Sequence, residues 1–327
     1  MDSTPTFNIY PGNMNLLPFI FVGCWNEKGD PHVQVIDAIE QSRINNLILG
    51  GDNFYPEKTG KGDDKVKTFN SGLLTTPIFA RKHVVSALGN HNIESGMGKT
   101  GDHVDVLSLE QAYQKWHIPG GRPYYFIMRY NDVDIMILDT NIIDDDEKFT
   151  VMIECIRSYN PPKPYYCVMH EPIFSAKQKI KEGQIKSFYH QMSKGREILE
   201  VLCSKPPVAI LCADTHNYHQ VDINCGGSII KQIVVGTGGA SPDPVKWDVE
   251  LYKKPIVQDD ISYTIVSPID NDKKHLSEQN KYGFIVIDKL GEHTFVPVLD
   301  WTSKGGRRKP RTTRRKRDTK RHRSRRR

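Results

Sequence analysis

Short apolar runs alternate with stretches of helical spacing along the first third of the chain. Pro18–Val22, Asn46–Leu49 and Val84–Leu88 have strand length, and Val33–Ser42, between the first two, spaces its apolar residues three and four apart. That order predicts βαβ units and a largely parallel sheet, because a strand covered on both faces reads as a continuous apolar run. Further strands are expected at Tyr124–Arg129, Asp134–Leu138, Tyr165–Met169, Val208–Leu211, Ile229–Val235, Phe284–Asp288 and Phe295–Leu299. Turns as short as Tyr130–Val133 make the second half partly antiparallel. Glu110–Trp116, Ile180–Ser193 and Arg196–Leu202 carry helical spacing, while the polar, proline-interrupted Asp243–Lys281 reads as a long loop over one face. There is no internal repeat.

Polar, metal-competent residues sit where the apolar runs end, which in an open α/β sheet is where ligands bind. Five blocks show it: Phe21-Val22-Gly23-Cys24-Trp25, Gly50-Gly51-Asp52-Asn53-Phe54-Tyr55, Leu88-Gly89-Asn90-His91-Asn92, His170-Glu171-Pro172-Ile173-Phe174-Ser175 and Cys212-Ala213-Asp214-Thr215-His216-Asn217. Together they supply thiol, carboxylate, phenol, amide and imidazole groups.

In order, spacing and flanking residues these blocks resemble the calcineurin-like metallophosphoesterases, and among them the purple acid phosphatases of the tartrate-resistant type, over roughly Pro18 to Leu299. Gly-Asp-Asn-Phe-Tyr at Gly51–Tyr55 and Gly-Asn-His at Gly89–His91 match unchanged. Ile137–Thr140 looks like the family's supporting core strand, and Gln111–Pro119 like the segment before it. One block alone is a weak signal; five in order are a strong one. The resemblance implies a four-layer α/β/β/α sandwich of two mixed sheets flanked by helices, spanning residues 1–303. It also implies two divalent or trivalent metal ions (Fe, Zn or Mn) that share Asp52. One ion takes Tyr55 and His216 as well, with Cys24 at a further ligand position of that ion; the other takes Asn90 and His170, and Asp214 stands at one more ligand position of the pair. His91 is then the group outside the metal sphere that contacts phosphate and protonates the leaving oxygen. The implied reaction is hydrolysis of phosphate esters by metal-activated water.

Two positions depart from the family pattern. Cys24 stands where the family has the Asp of Gly-Asp-Trp, and Asp214 where it has the first His of Gly-His-x-His. Thiolate and carboxylate both bind Zn or Fe, but with altered hardness, charge and reach. Asp30 or His32, in Asp30-Pro31-His32, is an alternative donor to the first ion. Plainer uses exist for each residue: Cys24 as a small core side chain, Asp52-Asn53 as a capping turn, and His219 as a supporting or surface histidine. Gly236-Thr237-Gly238-Gly239 lacks the Lys and helix of a P-loop and reads as a strand-ending turn near the site.

Composition adds a second theme. The 327 residues, 38% hydrophobic, suffice for a large core without disulfide support. The net charge of +6 is uneven: Arg307–Arg327 holds fourteen Lys or Arg and one Asp, a charge of +13, so the rest of the chain stands at −7. Residues 304–327 lack apolar side chains and are expected to be a disordered tail. Arg307, Arg308, Arg314, Arg315, Lys316 and Arg317 are its candidate contacts to nucleic acid or another polyanion, and the cluster also suits nuclear import or a nucleoprotein. No aromatics are interleaved, so little base readout is expected. Six scattered cysteines without a CxxC pair point to a reducing compartment. Leu16–Val22 is too short for a signal peptide or membrane span, and no glycosylation sequon occurs; the expectation is an intracellular protein that engages no membrane. Two functions follow: a dinuclear phosphoesterase with a polyanion-binding tail, or a degraded metallophosphoesterase fold serving as a structural or nucleic-acid-packaging protein.

Overall fold

The computed structural model describes residues 4–25, 30–53, 57–58, 67–68, 79, 81–90, 116–117, 125–181, 184–240, 243, 250–266 and 281–300. Tyr55, His91 and the basic tail lie outside them. The strands are β1 (Asn8–Pro11), β2 (Phe19–Val22), β3 (Asn46–Leu49), β4 (Glu57–Lys58), β5 (Lys67–Thr68), β6 (His83–Ser86), β7 (Trp116–His117), β8 (Tyr125–Arg129), β9 (Asp134–Leu138) and β10 (Tyr165–Met169). They continue with β11 (Phe174–Lys181), β12 (Gln184–Gln191), β13 (Ala209–Cys212), β14 (Tyr218–Cys225), β15 (Ser228–Val235), β16 (Ile256–Gln258), β17 (Ile261–Val266), β18 (Lys281–Ile287) and β19 (His293–Asp300). The helices are α1 (Asp30–Gln41), α2 (Asp146–Ser158) and α3 (Gly195–Leu202).

One sheet has nine strands in the order β1, β8, β9, β10, β13, β15, β14, β17, β16, and another has six in the order β19, β18, β2, β3, β6, β7. Neighbours β2, β3 and β6 run parallel, as do β9, β10, β13 and β15. Antiparallel pairing flanks them: β8 on one side and β14, β17 and β16 on the other side of the nine-stranded sheet, and β18 and β19 in the six-stranded one.

Alternation along the buried strands sorts the core into layers. From β2, Phe19 and Phe21 join Tyr166 and Val168 of β10 and Leu211 of β13 between the sheets. Ile20 and Val22 face the other way, onto Val35 and Ile39 of α1. Cys167 and Met169 of β10 pack with Met152 of α2 and Ile198 and Leu202 of α3. The result is helix, sheet, sheet, helix, and each central strand is apolar on both faces, which is why it reads as an unbroken run.

Four sequence expectations change. Ile180–Ser193 is not a helix: β11 and β12 form an antiparallel hairpin in which Ile180 lies opposite Ile185 in register. Within Asp243–Lys281, β16 and β17 extend the nine-stranded sheet, with Ile261, Tyr263 and Ile265 buried in strand alternation. Trp116, expected to end a helix, lies in β7 beside β6, and the rest of Glu110–Trp116 is outside the described residues. Cys203 and Cys225, separated by 22 residues, form a disulfide between the end of α3 and the end of β14, where the scattered cysteine spacing pointed to a reducing compartment. Helix α2 was not anticipated; Asp145 caps it by accepting from Lys148 N–H at 3.1 Å. Among the described residues no helix is long and apolar enough to cross a membrane.

His219 is fully buried on β14, its Nδ1–H donating to Asn217 Oδ1 at 2.7 Å and its Nε2 accepting from Ala176 N–H. Burial pushes its pKa down to about 3, so the native protein holds it neutral where the unfolded chain takes up a proton. The stability it contributes is complete above the ordinary value of 6.5 and is lost as pH falls towards 3. Urea unfolding from about pH 7.5 to about pH 5.5 should show an extra loss of about 1.4 kcal/mol that His219→Gln removes; equal loss in both proteins would exclude this role.

Candidate metal centre

β2, β3 and β6 are parallel neighbours, as are β10 and β13, and the contact of His170 with Gly50 brings the ends of both sets to one edge of the sandwich. Cys24 follows β2, Asp52 follows β3, Asn90 follows β6, His170 follows β10 and Asp214 follows β13. Three of these turn back through left-handed backbone, with φ of 52° at Cys24, 52° at Asp52 and 42° at Asp214. That conformation costs a side-chain-bearing residue roughly 1–2 kcal/mol, and such strain clusters at functional sites.

The donor atoms of Cys24, Asp52 and His170, all buried, lie within 4.8 Å of one another. His170 joins the two sheets: its Nδ1–H donates to Gly50 O at 2.8 Å, which leaves Nε2 facing Asn90 Oδ1 at 3.2 Å, Asp52 Oδ2 at 3.4 Å and Asp214 Oδ1 at 4.0 Å. Burial alone would depress its pKa, but Asp52 and Asp214 outweigh that and raise it to about 9. Without metal, the imidazolium is the cation that balances these carboxylates.

Two glycines let the loops close to this distance. A Cβ on Gly51, whose φ is +94°, would lie 2.6 Å from His170 Nδ1, and one on Gly89 would lie 2.2 Å from Asp52 Oδ1. Asn53 then ties three strand ends together. Its Oδ1 accepts from Trp25 Nε1–H at 3.0 Å, and its Nδ2 donates to Ser86 Oγ at 2.7 Å and Ala87 O at 3.1 Å. The turn after β15 closes the rim, with Gly238 N–H donating to Gly23 O and Ala240 N–H to Cys24 O. It is a strand-ending turn beside the site, as its sequence suggests.

Asp214 is half-buried and held by Lys177, Nζ to Oδ2 at 2.9 Å. Burial would raise its pKa, but His170 and Lys177 hold it below the usual carboxylate value. Cys24 also packs against Ala213 and Ala240, so it is a core side chain and a potential donor at once. His216 lies on the loop after β13, its N–H donating to Asp243 Oδ2; its ring is not in the group formed by Cys24, Asp52 and His170. His32 is buried in α1 and outside that group too, and Asp30 begins the same helix. Sequence reasoning missed Lys177 and His190, whose Nε2–H donates to Glu171 Oε1 at 2.8 Å. The only signal for Lys177 was the strand period running on from Ser175.

No protein-family model matches the sequence, and no curated protein sequence matches it. A purple acid phosphatase from yellow lupin (Lupinus luteus) seeds superimposes with a TM-score of 0.51 and 15% identity over 85% of this chain and 50% of that one. The fold is of the metallophosphoesterase type. The chain spans half the length of the lupin protein, and at this identity the likeness concerns fold alone. The anchor in the inner membrane complex of Plasmodium gives a TM-score of 0.46 at 14% identity, over 88% of this chain and 92% of that one. PhoD gives 0.45 at 15%, over 70% and 58%.

Replacing Asn53 by Ala removes the acceptor for Trp25 and the donors to Ser86 and Ala87. Chemical denaturation should show a loss of about 2–4 kcal/mol. A loss below about 0.5 kcal/mol would mean that the loops hold together without it.

Proposed function

We propose that this metallophosphoesterase fold hydrolyses phosphate esters with the help of metal bound at the common strand edge. The observation that carries the reading is the convergence of Cys24, Asp52 and His170 from the ends of three strands in two sheets. Their donor set of sulfur, carboxylate and imidazole, with the Asn90 amide oxygen beside it, suits Zn or Fe better than Mn. Metal there supplies Lewis acidity towards water and towards phosphate oxygens.

The chain's own groups do the positioning. Gly50 O fixes the His170 ring so that Nε2 faces the site, the arrangement by which a backbone carbonyl orients a ligating imidazole. Asp52, held against Gly89 by left-handed backbone, presents its carboxylate at the centre. His190 holds an Nε2 proton on Glu171 close enough to Asp214 to help lower the pKa of that carboxylate. Tyr55, His91 and His216 complete the donor and acid set by resemblance. We propose further that residues 304–327 hold the protein on nucleic acid or another polyanion.

After loading with Zn²⁺ or Fe²⁺, the protein should release phosphate from 4-nitrophenyl phosphate. Asp52→Asn should abolish this, and His91→Ala should lower kcat by about 10²–10⁴-fold. Undiminished turnover in Asp52→Asn would remove the mechanism; absence of turnover in the metal-loaded wild type would favour the structural role.

The tail has its own test in fluorescence anisotropy with a DNA duplex. Affinity should fall steeply with salt, at a logarithmic slope of about −0.9 per phosphate neutralised, and deletion of residues 304–327 should abolish binding. Undiminished binding by the truncated chain would assign the contact to the body of the fold.

A further inference from the structure

We infer that the centre takes one metal ion rather than two, and that the Lys177 ammonium supplies the second positive charge at Asp214. The inference rests on the reading of the site as a metal centre and concerns what this chain puts in place of a second ion.

The hairpin brings the lysine in. Strand β11 begins four residues after His170, and its alternation places Ser175 and Lys177 on one face. Ser175 Oγ meets Thr215 Oγ1 at 3.0 Å, which docks the strand beside the loop that carries Asp214. Two residues on, Lys177 reaches Asp214 Oδ2, while the lysine's own carbonyl accepts from Tyr252 O–H at 2.8 Å. Gln232 anchors the start of the strand, accepting from Ile173 N–H at 2.9 Å and donating to Phe174 O. Both members of the pair are mostly shielded, with side chains 22% exposed. This is a cation fixed by its backbone on both sides, unlike a loose surface contact.

The two departures from the family pattern then make sense together. An imidazole at position 214 would offer an ammonium only an uncharged acceptor nitrogen, whereas the carboxylate of Asp214 offers a negative charge. An ion drawing on Asp214 Oδ1, the oxygen that faces His170, would share one carboxylate with Lys177 on Oδ2, and like charges on either side of a carboxylate repel in a shielded site. The remaining donors are compact: Cys24 and His170, which the resemblance divides between two ions, stand with Asp52 in one group. Asp52 and Asp214, which both face His170, would with Cys24 as thiolate carry three negative charges. One divalent ion and one ammonium balance them.

The test is elemental analysis of the full chain after equilibration with excess Zn²⁺ and removal of free metal. Wild type should retain about one ion per chain, and Lys177→Met, which keeps length and removes charge, about two, whereas Lys177→Arg should stay at about one. Co²⁺ in place of Zn²⁺ should give wild type a thiolate-to-metal charge-transfer band that Cys24→Ser abolishes. Two ions in the wild type would overturn the inference and leave the phosphoesterase reading standing; none would overturn both. Should Lys177→Met fail to fold by circular dichroism, the wild-type count decides alone; if it folds and still holds one ion, Lys177 is not what excludes the second.

Discussion

The hydrogen bond from His170 Nδ1 to Gly50 O holds this molecule's chemistry in place. His170 ends a strand of the nine-stranded sheet, and Gly50 begins the loop that ends a strand of the six-stranded one, so this bond joins the two sheets where the site lies. It also spends one ring nitrogen on a carbonyl and so aims the other at Asn90, Asp52 and Asp214. The close approach at Gly51 and Gly89 and the left-handed turns at Cys24, Asp52 and Asp214 all serve to bring side chains to that second nitrogen.

Much of this was legible in the sequence because the central strands are buried on both faces. A run such as Phe19–Val22 or Tyr165–Met169 must be apolar throughout, so the first polar residue after it marks the strand end, and at those ends stand Cys24, Asp52, Asn90, His170 and Asp214. Helix α1 was legible because one stripe, Val35 and Ile39, faces the sheet. The hairpin was not, since Ile180, Ile185 and Phe188 are too sparse among polar residues to set either period, and only pairing with a partner decides. Lys177 was invisible for the same reason, because its meaning depends on a residue 37 positions away. The Cys203–Cys225 bridge likewise joins elements that sequence spacing does not show to be neighbours.

Asp214 shows why a departure from a motif has to be judged with its contacts. Taken alone, a carboxylate in place of an imidazole reads as damage to a metal ligand. Beside Lys177 it is half of a pair, and the partner arrives on the hairpin that sequence spacing took for a helix. Cys24 has the same double character: packed among alanines as core, yet within reach of Asp52 and His170 as a donor.

The hairpin has a consequence for how the protein matures. Left without cations, Asp52 and Asp214 would repel one another and oppose closure of the fold, and His170 and Lys177 supply those cations from within the chain. A lysine carried in on β11 travels with the chain, so part of that repulsion is relieved as soon as Ser175 docks on Thr215. On the proposed reading of the site, assembly of the polypeptide and acquisition of metal would thereby be separable events.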